Sequence, residues 1–220
     1  MSATQDVNES VRALIRRTKV DDGQRYTVEH WLDRELGHLA AGGGMVLDFG
    51  KSSRHRHALF RKECIVTADI NQYDGYPDVV VDICDLDTYP KQRFAGIVCS
   101  SMLEHVYDPA LAVRNMHAVL DDGGVLIGQV PFLYPYHAPD DLKYQDFWRF
   151  TRDGLALLFK DFSDVTLYPI RGRYSTMANL LPHWKQRVEG LFGTRINRLL
   201  DLLPGGKAPN VSGYMIKAVK

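Results

Sequence analysis

Apolar residues recur every three or four positions in the first part of the chain. One such group lies at residues 11–15 and a second at residues 28–39, and three consecutive glycines follow at 42–44. A period of three to four places apolar side chains on one face of an α-helix, and a run of glycines ends a helix. Residues 1–41 are therefore predicted to form two amphipathic helices that precede the main part of the domain.

After the glycines the pattern changes to short apolar runs separated by helical stretches. The runs occupy residues 45–50, 64–70, 78–83, 96–101, 124–131, 164–170 and 214–220. They show little alternation of apolar and polar positions, as expected of strands that are buried on both faces. Because strands alternate with helices, the pattern predicts an α/β fold with a seven-stranded, mostly parallel sheet flanked by helices.

Two of the helices have start signals in the sequence. Asp108 is suited to cap a helix that has Pro109 at its first position, and Thr151 is suited to open another. Apolar positions between 177 and 203 also follow a helical stripe. This stripe predicts a helical insertion before the last strand.

The length and the charge distribution describe one domain with two unlike parts. A chain of 220 residues fits a single domain, which we divide into N-terminal helices (1–41), a core (42–170) and a helical cover with the last strand (171–220). Lys and Arg together number 27, as do Asp and Glu, so no overall basic field supports nucleic-acid binding. The cover contains nine Lys or Arg and two acidic residues, which leaves the rest of the domain acidic.

The cysteines and the absence of export signals indicate the cellular compartment in which the protein is found. Cys64, Cys84 and Cys99 lie in or beside apolar runs and lack metal-ligand spacing. Their odd number and apolar surroundings favour buried free thiols. The sequence shows no secretion signal and no apolar stretch of membrane-spanning length. These features predict a cytoplasmic location.

Polar residues follow the first three apolar runs directly, at the edge of the sheet where open α/β proteins bind ligands. Asp48 and Gly50 end the first run, and Asp69 ends the second, about 20 residues later. That spacing allows a carboxylate to bind the ribose of a ligand whose other end lies at the first turn. After the third run, the carboxylate of Asp82 is suited to accept a hydrogen bond from an exocyclic amine, and Ile83 is suited to pack against the face of a ring. The pattern predicts a nucleoside-containing ligand.

Two other ligand types are disfavoured by the residues after the first run. A dinucleotide-binding motif would require glycine where the chain has Ser52 and His55. The basic residues at 51–57 include two histidines, but no acidic residue or cysteine stands at ligand spacing from them. No metal site is expected there, and none elsewhere in the chain.

The order of these segments resembles a known family. The segments VLDFG, TADIN, VVVDICDL, CSSMLEHVYDP, LDDGGVLIGQVPFLYPYH and DFWRFT together resemble class I S-adenosylmethionine-dependent methyltransferases, and more narrowly a broad bacterial small-molecule branch with an LEHV segment. The resemblance implies a Rossmann-like sheet and S-adenosyl-L-methionine as cofactor. It implies these cofactor-binding residues: Asp48, Gly50, Ser52, Asp69, Ile70, Asp82, Ile83, Ser100 and Ser101.

The glycine motif of that family is incomplete in this chain. The usual G-x-G-x-G reads Gly50-x-Ser52-x-Arg54 here, so only the first glycine is kept. Two functions therefore stay open. One is methyl transfer to a small-molecule or saccharide-type acceptor, with a hydroxyl as the expected acceptor group. The alternative is a non-catalytic binding or scaffold protein that keeps the fold with a degenerate glycine motif.

The richest group of reactive residues follows the fifth run of the core. His137 is the best candidate for a base that takes a proton from a hydroxyl acceptor, because a histidine pKa lies near neutrality. Asp146 is expected to position it. Glu104 and His105, in the LEHV segment, are expected to be structural residues. The helical stripe at 177–203 has three interpretations, which are packing on the domain or in a homodimer, a substrate lid, and peripheral contact with anionic lipid.

Overall fold

Eight strands form one sheet in this computed structural model. The structure describes residues 3–25, 27–138, 144–181, 188, 190–193, 195–207 and 209–220. The strands are β1 (Lys19–Val20), β2 (Val46–Phe49), β3 (Ile65–Asp69), β4 (Val79–Val80), β5 (Phe94–Ser100), β6 (Leu120–Pro131), β7 (Asp164–Ile170) and β8 (Gly213–Val219). The helices are α1 (Ala3–Arg17), α2 (Val28–Gly42), α3 (Pro109–Val119), α4 (Arg152–Leu158), α5 (Arg173–Asn179), α6 (Gly190–Phe192) and α7 (Arg195–Leu200).

The Rossmann-like α/β fold and its seven predicted strands are confirmed, but the strand count is eight. The additional strand, β1, has two residues and pairs in parallel with β7, with Lys19 opposite Thr166. Both of its residues are exposed. A two-residue exposed strand leaves no apolar run in the sequence, and this is why the count of seven was wrong.

The order of the strands creates a switch point beside β2. The order across the sheet is β1-β7-β8-β6-β5-β2-β3-β4. The chain moves outward from β2 to β3 and β4 and then returns to the other side of β2 as β5. Only β8 runs antiparallel to its neighbours. The crevice at the carboxyl ends of β2 and β5 is where such sheets bind ligands.

Both faces of the sheet are covered by apolar residues. All four residues of β2 are buried. On one face the cluster includes Phe49, Phe94 and Phe159, and on the other it includes Trp31 from α2. Each fully buried side chain of this kind contributes about 2–3 kcal/mol of burial free energy, so the central strands form a rigid base for the carboxyl-end loops.

The predicted helix boundaries in the core are confirmed. The Asp108 carboxylate accepts a hydrogen bond from the backbone N–H of Leu111 at 2.9 Å, and the Thr151 hydroxyl accepts one from Gly154 at 3.0 Å. These are N-cap interactions. The predicted free thiols are also confirmed, because all three cysteines are buried and unbridged.

The predicted helical insertion before the last strand is present as the short helices α5, α6 and α7. Asp201 holds the start of α5, since its carboxylate accepts hydrogen bonds from the backbone N–H groups of Gly172 and Tyr174, each at 2.8 Å. Within the predicted stripe, Trp184, Lys185 and Arg187 lie outside the described residues. Large exposed apolar side chains of the stripe are Met177, Leu180, Leu181, Leu191, Phe192, Leu199, Leu202 and Leu203. Among the described helices, none is long and apolar enough to cross a membrane.

Candidate active site

Two adjoining cavities lie at the carboxyl ends of the central strands. The first has a volume of about 400 Å³ and the second a volume of about 610 Å³. Ser101 and His137 line both. Of the predicted cofactor residues, those that line the first cavity are Gly50, Ser52, Asp69, Ile70, Asp82, Ile83 and Ser101. The loops after β2, β3 and β5 thus bring together residues that are distant in the sequence.

The turn after β2 requires glycine at its first position. Gly50 has a φ of +78°, a region that residues with a Cβ rarely adopt. A Cβ at this position would lie 2.7 Å from Sδ of Met102. Ser52, at the second glycine position of the motif, is exposed and lines the cavity. At Gly50 the backbone of the turn can therefore still come close to a ligand in the cavity. The exposed Ser52 side chain fits at the opening of the cavity.

Asp48 lies behind the cavity and its carboxylate has partners within the protein. The Ser53 hydroxyl lies 2.7 and 2.6 Å from its two oxygens, and Nε2 of His57 lies 2.5 Å from Oδ2. Burial raises the pKa of Asp48. Ser100 is also buried and does not line the cavity. Asp48 thus stabilises the turn from behind, and a direct contact of Asp48 or Ser100 with a ligand has no support in this geometry.

The far end of the first cavity carries the two remaining strand-end carboxylates. Asp69 Oδ1 accepts a hydrogen bond from the backbone N–H of Asn71 at 2.9 Å, and Asp82 Oδ1 accepts one from Cys84 at 2.9 Å. Each of these loops is therefore held by its own aspartate. The aromatic residues Tyr73 and Tyr107 also line this cavity. Sequence patterns did not single them out, because a single tyrosine in a loop has no periodicity.

The second cavity lies beyond the ends of β6, β7 and β8. Its polar lining residues include Arg25, His30, Glu104, Gln129, Tyr134 and Asn197. The N-terminal part of α2 and helix α7 of the cover both contribute to this wall. A cavity of this size with several polar groups fits a small polar molecule.

The structure brings His137 and Asp146 close together. Nδ1 of His137 lies 3.1 Å from Oδ2 of Asp146. Asp146 also receives two hydrogen bonds from Arg149, at 2.5 and 2.7 Å, and these bonds lower its pKa to about 2. Asp146 is therefore a carboxylate at neutral pH. It does not line either cavity and contacts His137, which lines both.

Glu104, which the sequence predicted to be a structural residue, lies close to two histidines. Its side chain is 2% exposed, and its Oε1 atom lies 3.8 Å from Nε2 of His137 and 3.9 Å from Nε2 of His105. Burial, with a smaller contribution from the charge of Asp146, raises its pKa to about 7. No spacing rule connects Glu104 and His105 with His137. They meet only because β5 and β6 are neighbours in the sheet.

The fold and the two cavities define an open α/β enzyme with a nucleoside-type site at its switch point, and the comparisons identify the family. The methyltransferase domain family matches residues 21–162, so the chain belongs to this family. It is a class I S-adenosylmethionine-dependent methyltransferase, which confirms the resemblance to that class. No curated protein sequence matches the chain significantly.

Solved structures show the same fold at low sequence identity. A SAM-dependent methyltransferase from Archaeoglobus fulgidus is similar with a TM-score of 0.52, 18% identity and full coverage of both chains. An S-adenosylmethionine-dependent methyltransferase from Mesorhizobium loti has a TM-score of 0.51 and 15% identity, over 86% of this chain and 97% of that one. Identities this low establish the architecture and leave the acceptor open.

Proposed function

We propose that the protein transfers a methyl group from S-adenosylmethionine to a hydroxyl of a small-molecule or saccharide-type acceptor bound in the second cavity. The observation that carries the proposal is the position of His137, which lines both cavities. It lies where a cofactor in one cavity would face an acceptor in the other. Ser101 shares this position and has a φ of +53°, which marks a tight turn at the junction.

The residues of the first cavity fit the cofactor. Gly50 supports close backbone approach at the methionine end, Asp69 suits the ribose hydroxyls, and Asp82 with Ile83 suits adenine. The cofactor supplies a methyl group on a sulfonium, which is a good leaving group. The protein's task is then to align donor and acceptor at about 3 Å, because positioning supplies much of the acceleration in such a displacement.

A hydroxyl acceptor must lose its proton during transfer, and His137 is suited to accept it. Its Nδ1 lies 3.1 Å from Asp146 and 3.2 Å from the carbonyl oxygen of Pro135. Both partners are acceptors at neutral pH, so in the neutral ring the hydrogen lies on Nδ1 and Nε2 carries the lone pair. Asp146 is in this proposal a positioning residue.

The test compares cofactor binding with turnover. A panel of hydroxyl, amine and thiol acceptors is assayed for release of S-adenosylhomocysteine by the wild type. His137→Ala is then expected to bind S-adenosylhomocysteine within about twofold of the wild type and to lose at least 100-fold in transfer to a hydroxyl. Full transfer by His137→Ala, or transfer to amines alone, would contradict the proposal.

The exposed side chains of the cover and the buried cysteines bear on the partners and the location of the protein. The exposed apolar side chains at 177–203 fit contact with a homodimer partner, with an anionic lipid surface or with a closing lid. Sedimentation with anionic liposomes at two salt concentrations and light scattering separate these three cases. The three buried free thiols support a reducing cytoplasm.

A further inference from the structure

Glu104, His105 and His137 form a compact group of potential metal ligands. One ligand atom of each lies within 4.8 Å of those of the other two. Glu104 and His105 belong to the turn Leu103–His105 after β5, and His137 follows β6. The side chains are mostly shielded from water, with exposed fractions of 2%, 12% and 30%.

Both imidazole rings are oriented through their second nitrogen. Nδ1 of His105 lies 2.5 Å from the carbonyl oxygen of Gln145, which can only accept a hydrogen bond. Nδ1 of His137 faces Asp146 and a carbonyl oxygen in the same way. The hydrogen of each neutral ring therefore lies on Nδ1, and the lone pair of each Nε2 faces Glu104. Histidines that bind metals characteristically donate their other N–H to a carbonyl or carboxylate.

Glu104 lies too far from the two histidines for hydrogen bonds, but close to the separation that two ligands of one metal ion have. Glu104 Oε1 lies 3.8 and 3.9 Å from the two Nε2 atoms, beyond hydrogen-bond length. Ligands about 2.1 Å from one ion lie about 3.4 Å apart in a tetrahedral site, so Glu104 and each histidine need to approach by about half an ångström, and all three ligand atoms already lie within 4.8 Å of one another. Glu104 Oε2 is buried with no hydrogen-bond partner among the described residues. A cation bound between Glu104 and the two Nε2 atoms would give this unpartnered carboxyl group and both lone pairs a partner.

We propose that Glu104, His105 and His137 bind one divalent transition-metal ion. Two imidazoles and one carboxylate suit Zn²⁺, Fe²⁺ or Co²⁺ better than Mg²⁺, which prefers oxygen ligands. Three protein ligands leave coordination positions open, as in catalytic and not structural sites.

The ion would lie at the junction of the two cavities. His105 lines the first, Glu104 lines the second and His137 lines both. The next step rests on the proposed function. An oxygen of the acceptor would occupy an open position, which lowers the pKa of its hydroxyl, and the proton would pass to water in the cavity. His137 would then act as a ligand, and the ion would replace it as the group that activates the hydroxyl.

The test measures ion binding directly and does not depend on the acceptor. The full chain is purified without a polyhistidine tag, treated with a chelator and titrated with Zn²⁺ by calorimetry and with Co²⁺ by visible absorption. We expect one ion per chain, with d–d absorption bands of bound Co²⁺. Glu104→Gln, His105→Gln and His137→Gln should each weaken binding at least tenfold. His38→Gln and Glu63→Gln, whose side chains are 69% exposed outside both cavities, should leave binding unchanged.

Two outcomes would overturn the metal site. One is a binding stoichiometry far below one ion per chain, and the other is equal affinity in the wild type and Glu104→Gln, with far-UV circular dichroism showing that the variant is folded. A methyl-transfer assay tests the proposed function separately. If the ion binds but the metal-free enzyme transfers at the full rate, the site stands and its part in catalysis is wrong. If the ion binds and no hydroxyl is methylated, the site stands and the proposed function fails.

Discussion

The backbone N–H and the Nδ1 atom of His137 both face the same oxygen of Asp146, at 3.0 and 3.1 Å. This double contact fixes the main chain and the ring of His137 together. Arg149 holds the same carboxylate and also donates hydrogen bonds to the carbonyl oxygens of Tyr134 and Pro135, at 3.2 and 3.0 Å. The segment after β6 is thus held in place by the partly buried ion pair of Arg149 and Asp146.

Asp146→Asn removes the charge that orients His137 and pairs with Arg149. We expect turnover to fall about 10- to 100-fold, the effect typical of losing an orienting partner of a functional histidine, with little change in affinity for S-adenosylhomocysteine. Steady-state kinetics and calorimetry measure the two quantities. Asp161→Asn is the control, because Asp161 is exposed, lines neither cavity and pairs with Lys160 at 2.7 Å. A variant with unchanged turnover would show that Asp146 does not act through His137.

Gly50→Ala tests whether the shortened glycine motif still carries the cofactor. The new Cβ would combine an unfavourable φ with a clash against Met102, so we expect affinity for S-adenosylhomocysteine to fall at least tenfold. The backbone strain alone should cost about 1–2 kcal/mol of stability. Gly123→Ala is a matched control, because Gly123 also has a φ of +78° but has open space around it. It should lose similar stability and keep its affinity. Equal affinity losses in both variants would contradict a specific role of Gly50.

Asp69→Asn tests the end of the site assigned to the ribose. A carboxylate that accepts two hydroxyl hydrogen bonds contributes more than a neutral amide, since charged hydrogen bonds are worth about 1.5–3 kcal/mol. Affinity for S-adenosylhomocysteine should therefore fall about 10- to 100-fold. Asp87→Asn, whose side chain is 98% exposed outside the cavity, should bind as the wild type does. If Asp69→Asn also bound normally, the ribose would have to lie elsewhere in the cavity.

The strands and the cofactor edge were predictable because each leaves a local mark in the sequence. Buried runs such as 45–50 specify strands, and the residue after each run must lie at the carboxyl edge. β1 left no such mark, because Lys19 and Val20 are exposed. Sequence position alone also does not tell whether a strand-end carboxylate faces a cavity. Asp69 and Asp82 do so, whereas Asp48 is bound from behind by Ser53 and His57.

The group of Glu104, His105 and His137 was unpredictable for a different reason. The two segments meet only when β5 and β6 are placed side by side, and local spacing carries no information on strand order. The LEHV segment contains two of the three residues. Its chemistry depends on a third residue that no motif connects with it.

Glu35→Gln tests a buried ion pair that ties α2 to the last strand. Glu35 is 4% exposed, and its carboxylate lies 2.6 Å from Nζ of Lys217 and 2.8 Å from Arg34. Burial raises the pKa of Glu35, but the hydrogen bonds from Lys217 and Arg34 outweigh burial, so the pKa lies below its ordinary value. A lowered pKa means that the ionised form stabilises the fold. Hydrogen bonds to charged groups are worth about 1.5–3 kcal/mol, and we expect a loss of that order in the free energy of unfolding at pH 7.

The pH dependence follows from the sign of that shift. The stabilisation by Glu35 is complete well above the unfolded-state pKa of about 4.3 and is lost as the pH falls through the lower folded-state value. The difference between the wild type and Glu35→Gln should therefore be constant from pH 7 to about pH 5.5 and shrink at lower pH. Urea unfolding at several pH values measures it. Glu63→Gln, at an exposed position, should differ from the wild type by less than about 0.5 kcal/mol throughout. A Glu35→Gln difference that stays constant down to pH 3 would mean that lost packing and not lost charge destabilises the variant.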